Sequence, residues 1–113
     1  MAFPTLNYAN ANHRPPLARS DVYEPNLGQY APDIQSDFVP FRQTRIIVPL
    51  LDPKDFAPVS MLTPILMVAG QPRIMATHLL FSAQTRTRGQ PVASASDHHD
   101  DIIHALDLLF TGF

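Results

Sequence analysis

Asp101-Ile-Ile-His-Ala-Leu-Asp-Leu-Leu-Phe-Thr-Gly-Phe113 closes the chain, and its apolar spacing predicts an amphipathic helix. The segment Ser96 to Phe110 contains neither Gly nor Pro, so the helical prediction extends back to Ser96. Ser96 or Asp97 can cap the amino end by accepting a backbone N–H. Asp97, Asp100 and Asp101 complement the positive end of the helix dipole. At about 100° per residue, Ile102, Ala105, Leu106 and Leu109 share one face, with Phe110 at its margin. Asp100, His104, Asp107 and Thr111 share the opposite face. The last carbonyls have no following structure to protect them, which predicts either a frayed end or a docking element.

Upstream, the pattern changes from helical to strand-like. Thr44 to Leu51 carries the run Ile46-Ile-Val48, which suits a strand covered on both faces. Pro49 within it predicts a bend or bulge. Asp21-Val-Tyr23 is a short strand candidate, and Glu24-Pro-Asn-Leu-Gly28 reads as a turn. Tyr30 to Phe38 alternates loosely, and Pro32 there places a missing donor at an edge or bulge. Ile65 to Ala69 and Arg73 to Leu80 flank Gly70-Gln-Pro72, a hairpin signal. Leu51 to Pro58 and Thr85 to Pro91 read as loops. Several antiparallel strands followed by one helix define an all-β or α+β barrel-like domain. Residues 1–17 contain three Pro and three Asn with no apolar period, and read as a flexible extension before a domain of residues 18–113.

Composition narrows the function classes. With 113 residues the chain has room for one core, and a small domain gains burial from a second copy. A net charge of −2 argues against binding nucleic acid through a dense basic face. The absence of cysteine excludes disulfides and thiolate metal sites and fits a reducing cytoplasm. The longest apolar runs fall far short of the ~20 residues that span a bilayer, and the amino terminus lacks the pattern of a secretory signal.

The chemistry-bearing residues form no catalytic motif. His98-His-Asp-Asp101 with His104 puts Asp100 and His104 one turn apart, yet the spacing matches no established metal site. It reads as an acidic helix start with exposed histidines, and no metal or other cofactor is expected. No Ser lies in a nucleophile elbow and no glycine loop cradles phosphate. Arg42 and Arg45 can contact phosphate, but the simpler reading is a strand flank whose basic heads lie in water.

Taken in order, Asp21-Val-Tyr23, Asp33-Ile-Gln-Ser-Asp37, Arg45-Ile-Ile-Val-Pro-Leu50, Thr63-Pro-Ile65, Met75-Ala-Thr77 and Ile102 to Phe113 resemble the CcdB toxins from residue 18 to the end. The resemblance implies an SH3-like barrel built on a five-stranded antiparallel sheet, a smaller sheet and a carboxyl-terminal helix. It implies a cytoplasmic homodimer, a CcdA-like antitoxin as partner, and operator DNA bound only together with that antitoxin. The target it implies is the DNA gyrase A subunit, and the action is inhibition of gyrase rather than catalysis. The family's gyrase-binding positions fall on Thr111, Gly112 and Phe113, with His99, Asp100, Ile103, His104 and Asp107 on or near the polar helix face.

Two departures qualify the resemblance. Thr111 stands where those toxins have Trp, and losing a buried interface Trp costs about 2 kcal/mol, roughly thirtyfold in affinity. An attenuated or non-toxic antitoxin-binding protein is therefore an alternative. Leu17-Ala-Arg19 stands where family members commonly open with Met-Ala-Arg, which raises a start at Leu17 that omits residues 1–16. A further alternative is a ribonuclease like Kid and MazF, with Arg42, Arg45, Arg73 and Asp37 as its candidates. The chain lacks the Arg-Gly-Asp opening usual in those enzymes.

Overall fold

The computed structural model describes residues 20–26, 28–41 and 43–112. The extension expected over 1–17, with Arg42 and Phe113, lies outside the described residues. Among the described residues eight strands precede the last helix: β1 (Asp21–Asn26), β2 (Gln29–Pro32), β3 (Thr44–Ile47), β4 (Leu50–Leu51), β5 (Ile65–Val68), β6 (Gln71–Met75), β7 (Phe81–Gln84) and β8 (Pro91–Ser94). Short 3-10 turns cover Ser60–Leu62, Thr77–Leu79 and Ser96–His98, and a one-turn helix covers Thr85–Arg88. The terminal helix spans His99–Thr111. The domain is mainly β, with antiparallel sheets and a carboxyl-terminal helix, as the sequence predicts.

All strand pairs are antiparallel. One ladder runs β2-β1-β8 and another pairs β3 with β7. The bridge between Asp33 and Ile47 joins them. Ile34 N–H donates to the Ile46 carbonyl (3.0 Å), and Val48 N–H donates to the Pro32 carbonyl (3.2 Å). Counted across that bridge, five strands follow the order β8-β1-β2-β3-β7. The second sheet has the order β4-β6-β5. These two assemblies correspond to the five-stranded and smaller sheets that the resemblance implies.

Pro49 explains how the chain serves both. The run Thr44 to Leu51 is two strands, divided at Val48-Pro49. β3 pairs with β7, whereas β4 pairs with β6 in the other sheet. Proline cannot donate to a ladder and fixes φ, so the pairing ends there and the strand turns between sheets. The Pro49 carbonyl still accepts from Ala76 N–H (3.0 Å).

Other boundaries differ from the sequence reading. β1 continues through Glu24-Pro25 to Asn26, with a register shift between Tyr23 and Asn26. The slipped ladder tolerates Pro25, and the turn is displaced to Gly28, whose φ is 78°. Gly28 N–H donates to Glu24 Oε2 (2.8 Å). The β5–β6 connection is Ala69-Gly70, with φ of 52° and 79°, as a two-residue type I′ turn requires. Pro72 consequently lies inside β6, opposite Met67. The expected loop from Thr85 to Pro91 contains the one-turn helix and ends as β8 begins.

The core joins both sheets to the helix: Val22, Ile34, Val48, Leu50, Leu66, Val68, Met75, Ala95, Ile102 and Ala105 are buried. Each fully buried aliphatic side chain contributes about 1.5–3 kcal/mol of transfer free energy. Leu106 packs against this cluster. Leu109 is half-buried, and Phe110 is 70% exposed. The apolar helix face thus seats through its middle turns and loosens toward its end.

Candidate functional site

The terminal helix is set by backbone contacts at both ends. Neither Ser96 nor Asp97 caps it with a side chain. A 3-10 turn leads in instead: His98 N–H donates to the Ala95 carbonyl (2.9 Å), and His99 N–H donates to that of Ser96. These bonds engage donors that a side-chain cap would otherwise take. At the other end Gly112 adopts φ 85°, and its N–H donates to the Leu108 carbonyl (3.0 Å). Thr111 Oγ1 donates to the Asp107 carbonyl (2.6 Å). Gly112 therefore caps the Leu108 carbonyl, the first of those expected to be unguarded, while Thr111 bonds back one turn within the helix.

Between these caps, His99, Asp100, His104, Asp107 and Thr111 are exposed, and so is Gly112. Ile103 is half-buried and lies back from that surface. Asp101 is also exposed, which makes the outer face acidic along its first half. His98 departs from the expectation of exposed histidines, being half-buried. Its Nε2 accepts from Met67 N–H (3.1 Å), and its Nδ1 lies 4.0 Å from Asp101 Oδ2. Among the described residues no group of three His, Asp or Glu side chains is arranged to hold a metal ion.

A surface that sequence reading missed lies beside the stripe. The segment from Val59 to Ile65 packs along the terminal helix and leaves two adjoining grooves. One, of about 250 Å³, is lined by Ser60, Met61, Pro64, Ile65, Asp101 and His104. The other, of about 410 Å³, is lined by Val59, Ser60, Met61, Leu62, His104 and Leu108. Thr63 Oγ1 accepts from Val59 N–H (2.6 Å), and Thr77 Oγ1 donates to the Leu62 carbonyl (2.6 Å). Two buried threonines thus pin this segment. Val59, Met61 and Ile65 are at least half exposed. Their only advance signal is apolar side chains on a Pro-flanked connection, which also describes ordinary core residues.

The largest correction concerns Arg45. It is 1% exposed, so its head is not in water. Its Nε donates to Asp33 Oδ2 (2.7 Å), and its Nη2 donates to Asp33 Oδ1 (3.1 Å). The same Nη2 reaches the Gln35 carbonyl (2.9 Å) and Asp37 Oδ1 (3.1 Å). Gln35 completes the unit, its Oε1 accepting from Ile46 N–H (3.0 Å). Burial opposes the Arg45 cation, but hydrogen bonding and charge from Asp33 and Asp37 outweigh it and raise its pKa above the ordinary arginine value. The cluster ties the segment after β2 to β3. Arg73 instead lies over the Tyr30 ring, 5.9 Å from its centroid.

No described helix is long and apolar enough to cross a membrane. Residues 19–112 match the family model described as the CcdB protein. No curated protein matches the chain.

Proposed function

The chain belongs to the CcdB family, and from that premise we propose that it is the toxin of a toxin–antitoxin pair that binds the DNA gyrase A subunit. The observation that carries this reading is the terminal helix. One face is built into the core by Ile102 and Ala105, while His99, Asp100, His104, Asp107 and Thr111 stand exposed and lead to Gly112. Binding through that stripe needs no rearrangement of the fold. Thr111, Gly112 and Phe113 are the proposed terminal contacts, with Ile103 a lesser neighbour. The protein acts by binding, as a cytoplasmic homodimer, and a CcdA-like antitoxin neutralises it. The toxin–antitoxin complex binds operator DNA.

A second reading has its own observation. Thr111 replaces the Trp of the toxins it resembles, and its hydroxyl is turned back onto the Asp107 carbonyl. It offers no aromatic plane for stacking on a partner's arginine. An attenuated protein that still binds antitoxin follows from this geometry. The ribonuclease alternative loses support, because Arg45 and Asp37 are bonded to each other and Arg45 is buried.

Induced expression separates the readings. A gyrase inhibitor arrests growth, and deleting Thr111 to Phe113 relieves the arrest while the purified variant stays folded. Arrest that persists after the deletion contradicts the tail mechanism. Harmless wild-type protein that becomes toxic as Thr111→Trp selects the attenuated reading.

A further inference from the structure

We propose that His98 is a proton-sensitive clasp that holds the start of the terminal helix against the outer edge of β5. The proposal goes beyond the function above and stands on the geometry of the small sheet. In the antiparallel β5–β6 ladder, successive residues of β5 face their partner and the open edge alternately. The register pairs Leu66 with Arg73 and Val68 with Gln71. Met75 N–H donates to the Pro64 carbonyl (2.9 Å), which assigns Pro64, Leu66 and Val68 to the hydrogen-bonded side. Ile65 and Met67 therefore turn their N–H groups outward. Pro72 opposite Met67 fits this phase, since it has no N–H to direct across the pair.

The outward Met67 N–H is where an unprotected edge strand invites a further strand. His98 Nε2 occupies that acceptor position at 3.1 Å. An imidazole nitrogen accepts only while it carries no proton, so this bond requires the neutral ring with hydrogen on Nδ1. That hydrogen faces Asp101, whose Oδ2 is 4.0 Å away.

Acidification places a solvent proton on the Nε2 lone pair. Two N–H groups then oppose each other, and the acceptor is lost. The new cation is drawn toward Asp101 and away from β5. Asp97, His99, Asp100 and His104 are the neighbouring titratable groups on the same turn and helix, and all four are exposed. β5 and the Ser60–Leu62 turn bring no charged side chain. The Thr77–Leu79 turn brings His78, which is stacked on Phe56. Asp101 is thus the group that sets the direction of release. Opening the clasp exposes the β5 edge and frees the first turn of the helix, without touching the core contacts of Ile102 and Ala105.

The test is nitrogen-resolved NMR of the full chain, with hydrogen exchange of the Met67 amide corrected for the intrinsic rate at each pH. At mildly alkaline pH, Nε2 of His98 is expected to be unprotonated and the Met67 amide protected. On acidification Met67 should lose about tenfold in protection, with the midpoint of the His98 titration. The Leu66 and Val68 amides should keep theirs. His98→Ala should remove the same roughly tenfold protection of Met67 at every pH. An Nε2–H tautomer in the neutral ring overturns the proposal, as does Met67 protection that ignores the His98 titration or survives His98→Ala. If His98→Ala fails to fold, the wild-type titration alone decides between the outcomes.

Discussion

The Arg45 cluster and the terminal helix use charge in opposite ways. Around Arg45, two carboxylates and a carbonyl converge on one guanidinium that has left the solvent. Along the helix, Asp100 and Asp107 face water and meet no cation of their own helix, which contains no Lys or Arg. The first arrangement has spent its polar capacity internally and can only hold structure. The second leaves its polar groups available to a partner. Residue type does not distinguish the two, since both are rich in Asp. Whether a partner is already supplied by the fold does.

Breaking one side of the buried cluster tests this contrast most severely. Asp33→Asn leaves the Arg45 cation short of its closest counter-charge and should cost about 3–5 kcal/mol in urea denaturation. Replacing Asp33 and Arg45 together by apolar residues should recover much of that loss. A full loss in the double variant would mean that the loop needs the ion pair itself. Ile102→Ala removes the helix's main anchor and should cost about 2–4 kcal/mol, and calorimetric melting measures it. Gly112→Ala should cost about 1 kcal/mol. A Cβ there meets nothing within 4 Å, so the strain of φ 85° is the whole effect.

Thr111→Trp should be the mildest for stability, within about 0.5 kcal/mol for an exposed position. It should nevertheless tighten binding to purified gyrase A subunit by roughly thirtyfold if the tail is the contact. A large stability change with no gain in binding would erase the distinction between the two regions. Alkaline titration gives a final check. Because the folded-state pKa of Arg45 is raised, its contribution is fully present below the ordinary arginine value. It is lost only as pH rises through the higher folded value. Stability between about pH 6 and 10 should therefore be insensitive to this group.

The terminal helix was legible because its information is local. The 3.6-residue period alone separates buried Ile102 and Ala105 from exposed Asp100, His104 and Asp107. Pro49 was legible as a break for the same reason, although its consequence, a change of sheet, was not. Strands β7 and β8 gave little warning, since most of their residues are exposed and their alternation is weak. Asp33 and Asp37 were visible as a motif, and so was Arg45, but as separate ones. Their union spans twelve and eight residues of chain and leaves no periodic trace. The groove from Val59 to Ile65 was hidden because an exposed Met61 reads like a buried one.

The sequence by itself determined the family, the mainly β class, the phase of the terminal helix and the place where proline must interrupt a strand. Each follows from spacing, backbone chemistry or ordered motifs along the chain. Only the tertiary structure decided that Arg45 is a buried strut and that His98 meets the edge of β5. Those outcomes depend on which groups arrive at the same place after folding. The free energy of a charge or a donor is set by the partners that meet it there.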